Sequence, residues 1–375
     1  MSSLLRGKGV IVAGLAAIAF GGAIRSARGG RRSFLEHLVF VAILAASGVL
    51  LTEAVLRWVP GLLSGAVANA AFSGYHGERD GIYDFDPYTG HILRPSRARP
   101  MYWNGHTWRH EANRRGFRGP LVERADAVFL GDSVIYGHGV EDAQTVPARF
   151  SDATGLSRAN LGLQGSSPVQ ALELLRRIGL PLRPRYVILC LHPNDVSDSL
   201  AAYDDGELAR FVREEGYRPA ARPPAGLQPV FDGWMRHVAL PLLTARVIRA
   251  VVARATRAPG PVSRPTEDVI PPAVFEESDL GWAVLRQAVR EIQRESRNAG
   301  ARLVLFDLGY PPRFTATIES LAADVGAGYS DAGRVARTRA LAGDDIYLRH
   351  DGHWTPAGSE IVARALARAV ADPVD

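Results

Sequence analysis

The hydrophobic pattern divides the chain into three stretches. Residues 38–51 form an apolar run without a single charge, and the apolar character continues past Thr52 and Glu53 through Ala54, Val55, Leu56, Trp58 and Val59. A run this long predicts a transmembrane helix over about 38–59, with Trp58 at the interface. Residues 10–24 are also apolar but shorter and rich in Gly and Ala, and they follow Arg6 and Lys8. They read as a second span, a signal-like segment or an over-extended start. Residues 61–120 carry turn signals such as Asp86-Pro87 and Tyr88-Thr89-Gly90 without a sustained helical period. The expected structure there is a lead-in of short strands and loops.

From Ala127 onward, strand-like and helix-like segments alternate. The strands are expected at 127–130, 159–163, 186–191 and 302–307, short and apolar as parallel strands buried on both faces should be. Ser167-Pro168 opens a helix ending at Gly179, residues 281–298 form a second that stops before Gly300, and Thr355-Pro356 opens the last. The pattern predicts a three-layer α/β/α domain over 121–375, preceded by the lead-in over 61–120 and an anchor over 1–60. Residues 200–280 break the rhythm with a Pro- and Arg-rich stretch at 217–224, a helix-like 234–257 and a loop at 258–272. Such an insertion is a lid, a substrate-binding element, a surface excursion or a patch resting on the membrane.

The formal charge of +5 changes meaning once it is located. Within residues 1–60, Arg6, Lys8, Arg25, Arg28, Arg31, Arg32 and Arg57 stand against Glu36 and Glu53, which accounts for all of it. The folded part is therefore neutral overall and lacks a nucleic-acid footprint, so no nucleic-acid partner is expected. Arg25, Arg28, Arg31 and Arg32 lie just before the stronger span and hold that side in the cytoplasm under the positive-inside tendency. The bulk of the chain is then extracytoplasmic, on an inner membrane whose lipid bilayer is one of its partners. Cys190 is the single cysteine and sits in an apolar run, which excludes an intrachain disulfide and suits a core position.

Three polar elements fall at the carboxyl ends of expected strands, where open α/β sheets build their sites. Ser133, in Gly131-Asp132-Ser133, follows the first strand; Gly162 to Gly165 follow the second; Asn194 follows the third. A Gly-Asp-Ser alone is a common turn. The convergence is the stronger signal.

In these blocks, together with Asp351-Gly352-His353, the chain resembles the SGNH or GDSL hydrolase family, which supplies Ser, Gly, Asn and His in that order. The matching segments are Gly131-Asp132-Ser133, Asn160-Leu161-Gly162-Leu163-Gln164-Gly165, Pro193-Asn194-Asp195 and Asp351-Gly352-His353. The likeness covers about residues 120–370 and implies a flavodoxin-like parallel sheet. The anchor and the stretch Asn113-Arg114-Arg115-Gly116-Phe117-Arg118-Gly119 also look like those of membrane-anchored bacterial members. Two departures stand out: His192 occupies the usual Gly position of the third block, and Asp351-x-His353-Trp354 resembles the shorter motif of alginate O-acetylation proteins.

The resemblance implies serine-dependent acyl chemistry. Ser133 is the expected nucleophile, His353 its base and Asp351 the residue that holds the imidazole tautomer. The oxyanion donors would be the backbone N–H of Ser133, the backbone N–H of Gly165 and the Asn194 side chain, with Gly162 as the alternative glycine. Asp132 is expected to tie down the turn, and Trp354 to support the last block. The implied activity is an esterase acting on acyl esters, O-acetyl groups on cell-envelope or secreted carbohydrate among them. The alternatives are an O-acetyltransferase acting on such glycans and a non-catalytic carbohydrate-binding or assembly protein. His138, His192 and His350 lie near the motifs without recognisable ligand spacing, and no Gly-rich phosphate loop occurs, so neither metal nor cofactor is expected.

Overall fold

The computed structural model describes residues 30–58, 82–103, 106–223, 278–348 and 351–371. A first helix, α1 (Gly30–Trp58), precedes two β-hairpins: β1 (Tyr83–Asp86) with β2 (Gly90–Leu93), and β3 (Ala98–Trp103) with β4 (His106–Glu111). These hairpins belong to the expected lead-in. Its residues 61–81 lie outside the described residues, as do residues 10–24.

The central sheet has five parallel strands in the order β6-β5-β7-β8-β9. They are β5 (Ala127–Leu130), β6 (Arg158–Asn160), β7 (Tyr186–Leu191), β8 (Arg302–Asp307) and β9 (Gly328–Tyr329). This is the order of a flavodoxin-like doubly wound sheet, whose switch point lies between β5 and β7. The register pairs Ala127 with Tyr186 and Tyr186 with Arg302, so β5, β7 and β8 start level and their carboxyl ends form one edge.

Alternate strand residues feed two separate cores, as a period of two requires. Val128, Leu130, Val187, Leu189, Leu303 and Leu305 pack on one face with helices α4 (Pro168–Leu174), α7 (Asp279–Asn298) and α8 (Pro312–Val325). Phe129, Ile188, Cys190, Val304 and Phe306 pack on the other face with α3 (Val146–Thr154), α9 (Ala332–Leu341) and α10 (Pro356–Ala371). Burial pushes the Cys190 thiol well above its usual pKa, which fits a core residue.

Three expectations change in extent. The second strand is three residues long, because beyond Asn160 the chain turns toward the serine loop while still extending the ladder through Leu161 N–H to the Phe129 carbonyl. The break in rhythm begins later than residue 200, since α5 (Asp195–Ala202) and α6 (Asp205–Arg213) continue the helical layer. Residues 224–277, which hold the helix-like 234–257 and the loop at 258–272, lie outside the described residues. The fifth strand and helices α8 and α9 complete the sheet and its layers beyond the expected elements.

Helix α1 runs for 29 residues, and the side chains of 38–51 are exposed all round, Leu50 and Leu51 to 69% and 67%. Among the described residues no helix is long and apolar enough to cross a membrane. The described side chains of α1 make a stretch shorter than the about 20 apolar residues that a span takes.

Candidate active site

Ser133 is the first residue of a four-residue helix, α2 (Ser133–Tyr136), that starts directly at the end of β5. Asp132 caps this helix by accepting a hydrogen bond from the Val134 N–H at 2.9 Å, so it fixes the turn that presents the serine. The other end is held by Arg118, which is buried. Its guanidinium donates to the carbonyls of Tyr136, Gly137 and Val140 at 3.1, 2.7 and 2.8 Å. A cation at the C-terminal carbonyls complements their partial negative charge.

His353 arrives from the loop before α10, and its Nε2 lies 2.7 Å from the Ser133 Oγ. The Asp351 carboxylate accepts two hydrogen bonds from His353, from the ring Nδ1–H and from the backbone N–H, the latter at 3.1 Å. Burial is the largest single influence and would raise the Asp351 pKa, but the hydrogen bonds and charge of His353, with a smaller contribution from His138, together outweigh it and hold the carboxyl down at about 2. Asp351 is thus anionic beside an imidazole whose Nε2 is turned to a buried serine hydroxyl. That arrangement can accept the Ser133 proton as the oxygen becomes a nucleophile.

The glycines of the second block differ in what surrounds them. A Cβ on Gly162 would lie 2.1 Å from the Tyr136 nitrogen, so this glycine lets the loop pack backbone to backbone against α2. Its N–H is already donated to the Asn160 Oδ1 at 2.9 Å. Gly165 adopts φ +67°, and a Cβ there would meet nothing within 4 Å among the described residues. Of the two, Gly165 is the one whose Cβ position is clear of the described residues.

Asn194 stands just past β7, at the start of α5, with its Nδ2 donating to the Asp198 Oδ2 at 2.8 Å. Its Oδ1 is buried without a hydrogen-bond partner among the described residues. Burial, and then the Asp132 charge, push Asp198 up to about 7. The same two causes raise Asp195 well above the usual carboxylate range, and Asp195 accepts the His192 N–H at 2.7 Å. His192, in the position usually held by glycine, folds back so that its Nδ1 accepts the Asn194 N–H at 3.2 Å. Trp354 is buried and stacks on Phe306 with ring centroids 6.4 Å apart, so it seats the Asp351–His353 loop against the sheet.

Three residues beside the triad escaped the sequence reading of roles. His138 packs on His353 with centroids 4.4 Å apart and the rings tilted by 31°, and Trp108 packs on His138 at 4.5 Å. Gln164, adjacent to Gly165, donates its Nε2–H to the His138 Nδ1 at 2.7 Å. One ring nitrogen each of His138 and His353 and one oxygen of Asp351 lie within 4.8 Å of one another, a grouping that could in principle take a metal ion. The motif spacing does not reveal it, because His138 reaches the site from the far end of α2. His350 lies outside the described residues.

Over residues 291–374 the chain matches the family model described as "SGNH hydrolase-like domain, acetyltransferase AlgX". This C-terminal segment is SGNH hydrolase-like. The matched stretch holds Asp351, His353 and Trp354, while Ser133, Gly165 and Asn194 precede it. No curated protein matches the chain significantly. Among solved structures, a G-D-S-L family protein described as lipolytic, from Desulfitobacterium hafniense DCB-2, is 11% identical over 65% of this chain and 98% of its own, with a TM-score of 0.37. Axe2, an acetylxylan esterase from Geobacillus stearothermophilus, is 12% identical over 66% of this chain and 95% of its own, with a TM-score of 0.36.

Proposed function

We propose that this protein is a serine-dependent acyl-ester enzyme acting on small acyl groups, O-acetyl esters first among them. The observation that carries the reading is the continuous bond path from Ser133 Oγ to His353 Nε2 and from His353 Nδ1 to Asp351. The Ser133 oxygen attacks the ester carbonyl as His353 takes its proton. The tetrahedral oxyanion is held by the N–H groups of Ser133 and Gly165 and by the second Nδ2 proton of Asn194, the first being engaged by Asp198. Collapse expels the alcohol, which receives the proton from His353, and leaves an acyl-serine. Water, activated by the same imidazole, then releases the acid and restores the serine.

A second reading is favoured by the family match to an acetyltransferase-type domain, which covers the Asp351-x-His353-Trp354 motif. In that reading a glycan hydroxyl replaces water in the second half-reaction, and the product is an O-acetylated cell-envelope or secreted polysaccharide. The two differ only in which nucleophile reaches the acyl-serine.

We further propose that the N-terminal part anchors the enzyme in the inner membrane with its catalytic domain in the periplasm. An apolar helix exposed on all sides over 38–51, preceded by Arg25, Arg28, Arg31 and Arg32, supports this. Carbonate-resistant membrane fractionation, with protease added from the periplasmic side, tests it. Recovery in the soluble fraction contradicts it.

The enzymatic reading is tested by fluorophosphonate labelling and by hydrolysis of a short-chain acetyl ester. An oligosaccharide acceptor in the same assay separates transfer from hydrolysis by product mass. A folded protein that binds glycan but neither labels nor turns over is a binding protein, and the proposal fails.

A further inference from the structure

His138 is a buried imidazole with no place in the acyl-transfer steps, yet it touches the centre of the site. It is 2% exposed and sits between two rings, Trp108 at 4.5 Å and His353 at 4.4 Å, with an interplanar angle of 31° to His353. Its Nδ1 accepts from the Gln164 Nε2–H, which places the ring proton on Nε2. Gln164 is itself clamped: the Tyr83 hydroxyl donates to its Oε1, and the His91 Nε2 bonds its backbone carbonyl at 2.8 Å. The His138 ring therefore has a fixed plane, a fixed tautomer and a supporting ring behind it.

We propose that His138 is a positioning residue whose packed ring holds the His353 imidazole in line with Ser133 and Asp351. This inference rests on the reading of His353 as the base. Among the described residues, the groups facing His138 include Asp351 and His353 from the last loop, Gln164 from the loop after β6, Trp108 from β4, and the more distant Arg118 and His106. Burial, and then the neighbouring His353, keep His138 far below the usual histidine pKa, so it stays neutral through the reaction. A neutral aromatic face beside His353 favours the imidazolium that forms when Ser133 gives up its proton. A second charged ring there would oppose it.

The same contacts give the two lead-in hairpins a task. Tyr83 and His91 act through Gln164, and Trp108 acts through His138. Together they couple the loop carrying Gly165 to the imidazole that serves Ser133, so the donors and the base are set by one packed unit.

The test compares His138→Leu, which keeps apolar volume without a ring face, with His138→Phe, which keeps the ring face without the Gln164 bond. Acetyl-ester kinetics are read beside the downfield NMR proton of the Asp351–His353 hydrogen bond, with thermal melting to verify folding. His138→Leu should lower kcat about 10- to 100-fold at nearly unchanged KM, the scale of a misplaced reacting group. Its downfield proton should broaden or vanish, whereas His138→Phe should restore most of kcat and the signal. Equal kcat and an equal signal in the Leu variant and the wild type overturn the proposal, as do equal losses in Leu and Phe. The NMR signal is read without turnover, so an inactive wild type with an ordered His353 proton refutes the esterase reading and leaves the positioning role to be judged on the spectra.

Discussion

The Nε2 of His353 lies 2.7 Å from the Oγ of Ser133, across 220 residues of chain. The sheet makes this contact possible, because β5 delivers the serine and the loop before α10 delivers the histidine to the same edge. The contact predicts a sharp division among substitutions. Ser133→Ala and His353→Ala should abolish acetyl-ester turnover, and Asp351→Asn should lower it by about 10⁴-fold while leaving a residue. Melting temperatures should stay near the wild-type value. Turnover near wild type in Ser133→Ala would sink the mechanism.

The two loop glycines should respond differently. Gly162→Ala drives a methyl into the Tyr136 backbone and should destabilise the domain and displace α2. Gly165→Ala meets no neighbour among the described residues, and the strain there comes from its positive φ. The backbone N–H is retained, so its main effect should be on kcat through displacement of that donor, up to the about 10²–10³-fold of one lost oxyanion donor. Urea unfolding and steady-state kinetics on the same samples separate the two outcomes. A larger loss of stability in Gly165→Ala would contradict the assignment.

Asp351 and Asp198 should contribute to the pH dependence of stability with opposite slopes. Asp351 has a folded pKa near 2 against an ordinary 3.8, so its contribution is present above about pH 4 and is lost as pH falls toward 2. Asp198 is raised to about 7, so the folded state holds its proton more tightly than the unfolded chain. Its titration removes stability as pH rises from about 4 to about 7. Asp198→Asn, which can still accept the Asn194 bond, should remove this contribution and, relative to the wild type, shift the slope of urea-unfolding stability between pH 5 and pH 8 toward greater stability at pH 8. An unchanged slope would show that Asp198 does not carry it.

Arg118 predicts a structural effect transmitted to catalysis. Arg118→Met removes the guanidinium donor from three buried carbonyls at and just beyond the end of α2, which should cost about 2–4 kcal/mol in urea unfolding. The kcat for acetyl esters should fall as well, because α2 begins at Ser133. A variant of wild-type stability would contradict the role of the guanidinium.

Strands β5, β7 and β8 were legible because strands buried on both faces appear as unbroken apolar runs, as in Ala127–Leu130, Tyr186–Leu191 and Arg302–Asp307. The meeting of Ser133 with Asp351 and His353 was legible as a motif order, since each block sits at a strand end or before a capped helix. The two residues of β9 are too few to carry a period. His138, Trp108 and Gln164 come together through single contacts between distant segments, which leave no spacing in the sequence. Asp198 acquires its role from burial beside Asp132, and burial of one carboxylate on a short helix has no local signature.

The most direct test of the account is to trap the acyl-enzyme. The protein is mixed with an acetyl ester, quenched in acid within the first turnover, and digested for peptide mass measurement. The account predicts one added acetyl group on the peptide bearing Ser133, absent in Ser133→Ala and accumulating in proportion to the burst of released alcohol. Steady turnover of the ester with no acetyl on Ser133 at any quench time, or with the acetyl on another residue, would contradict it.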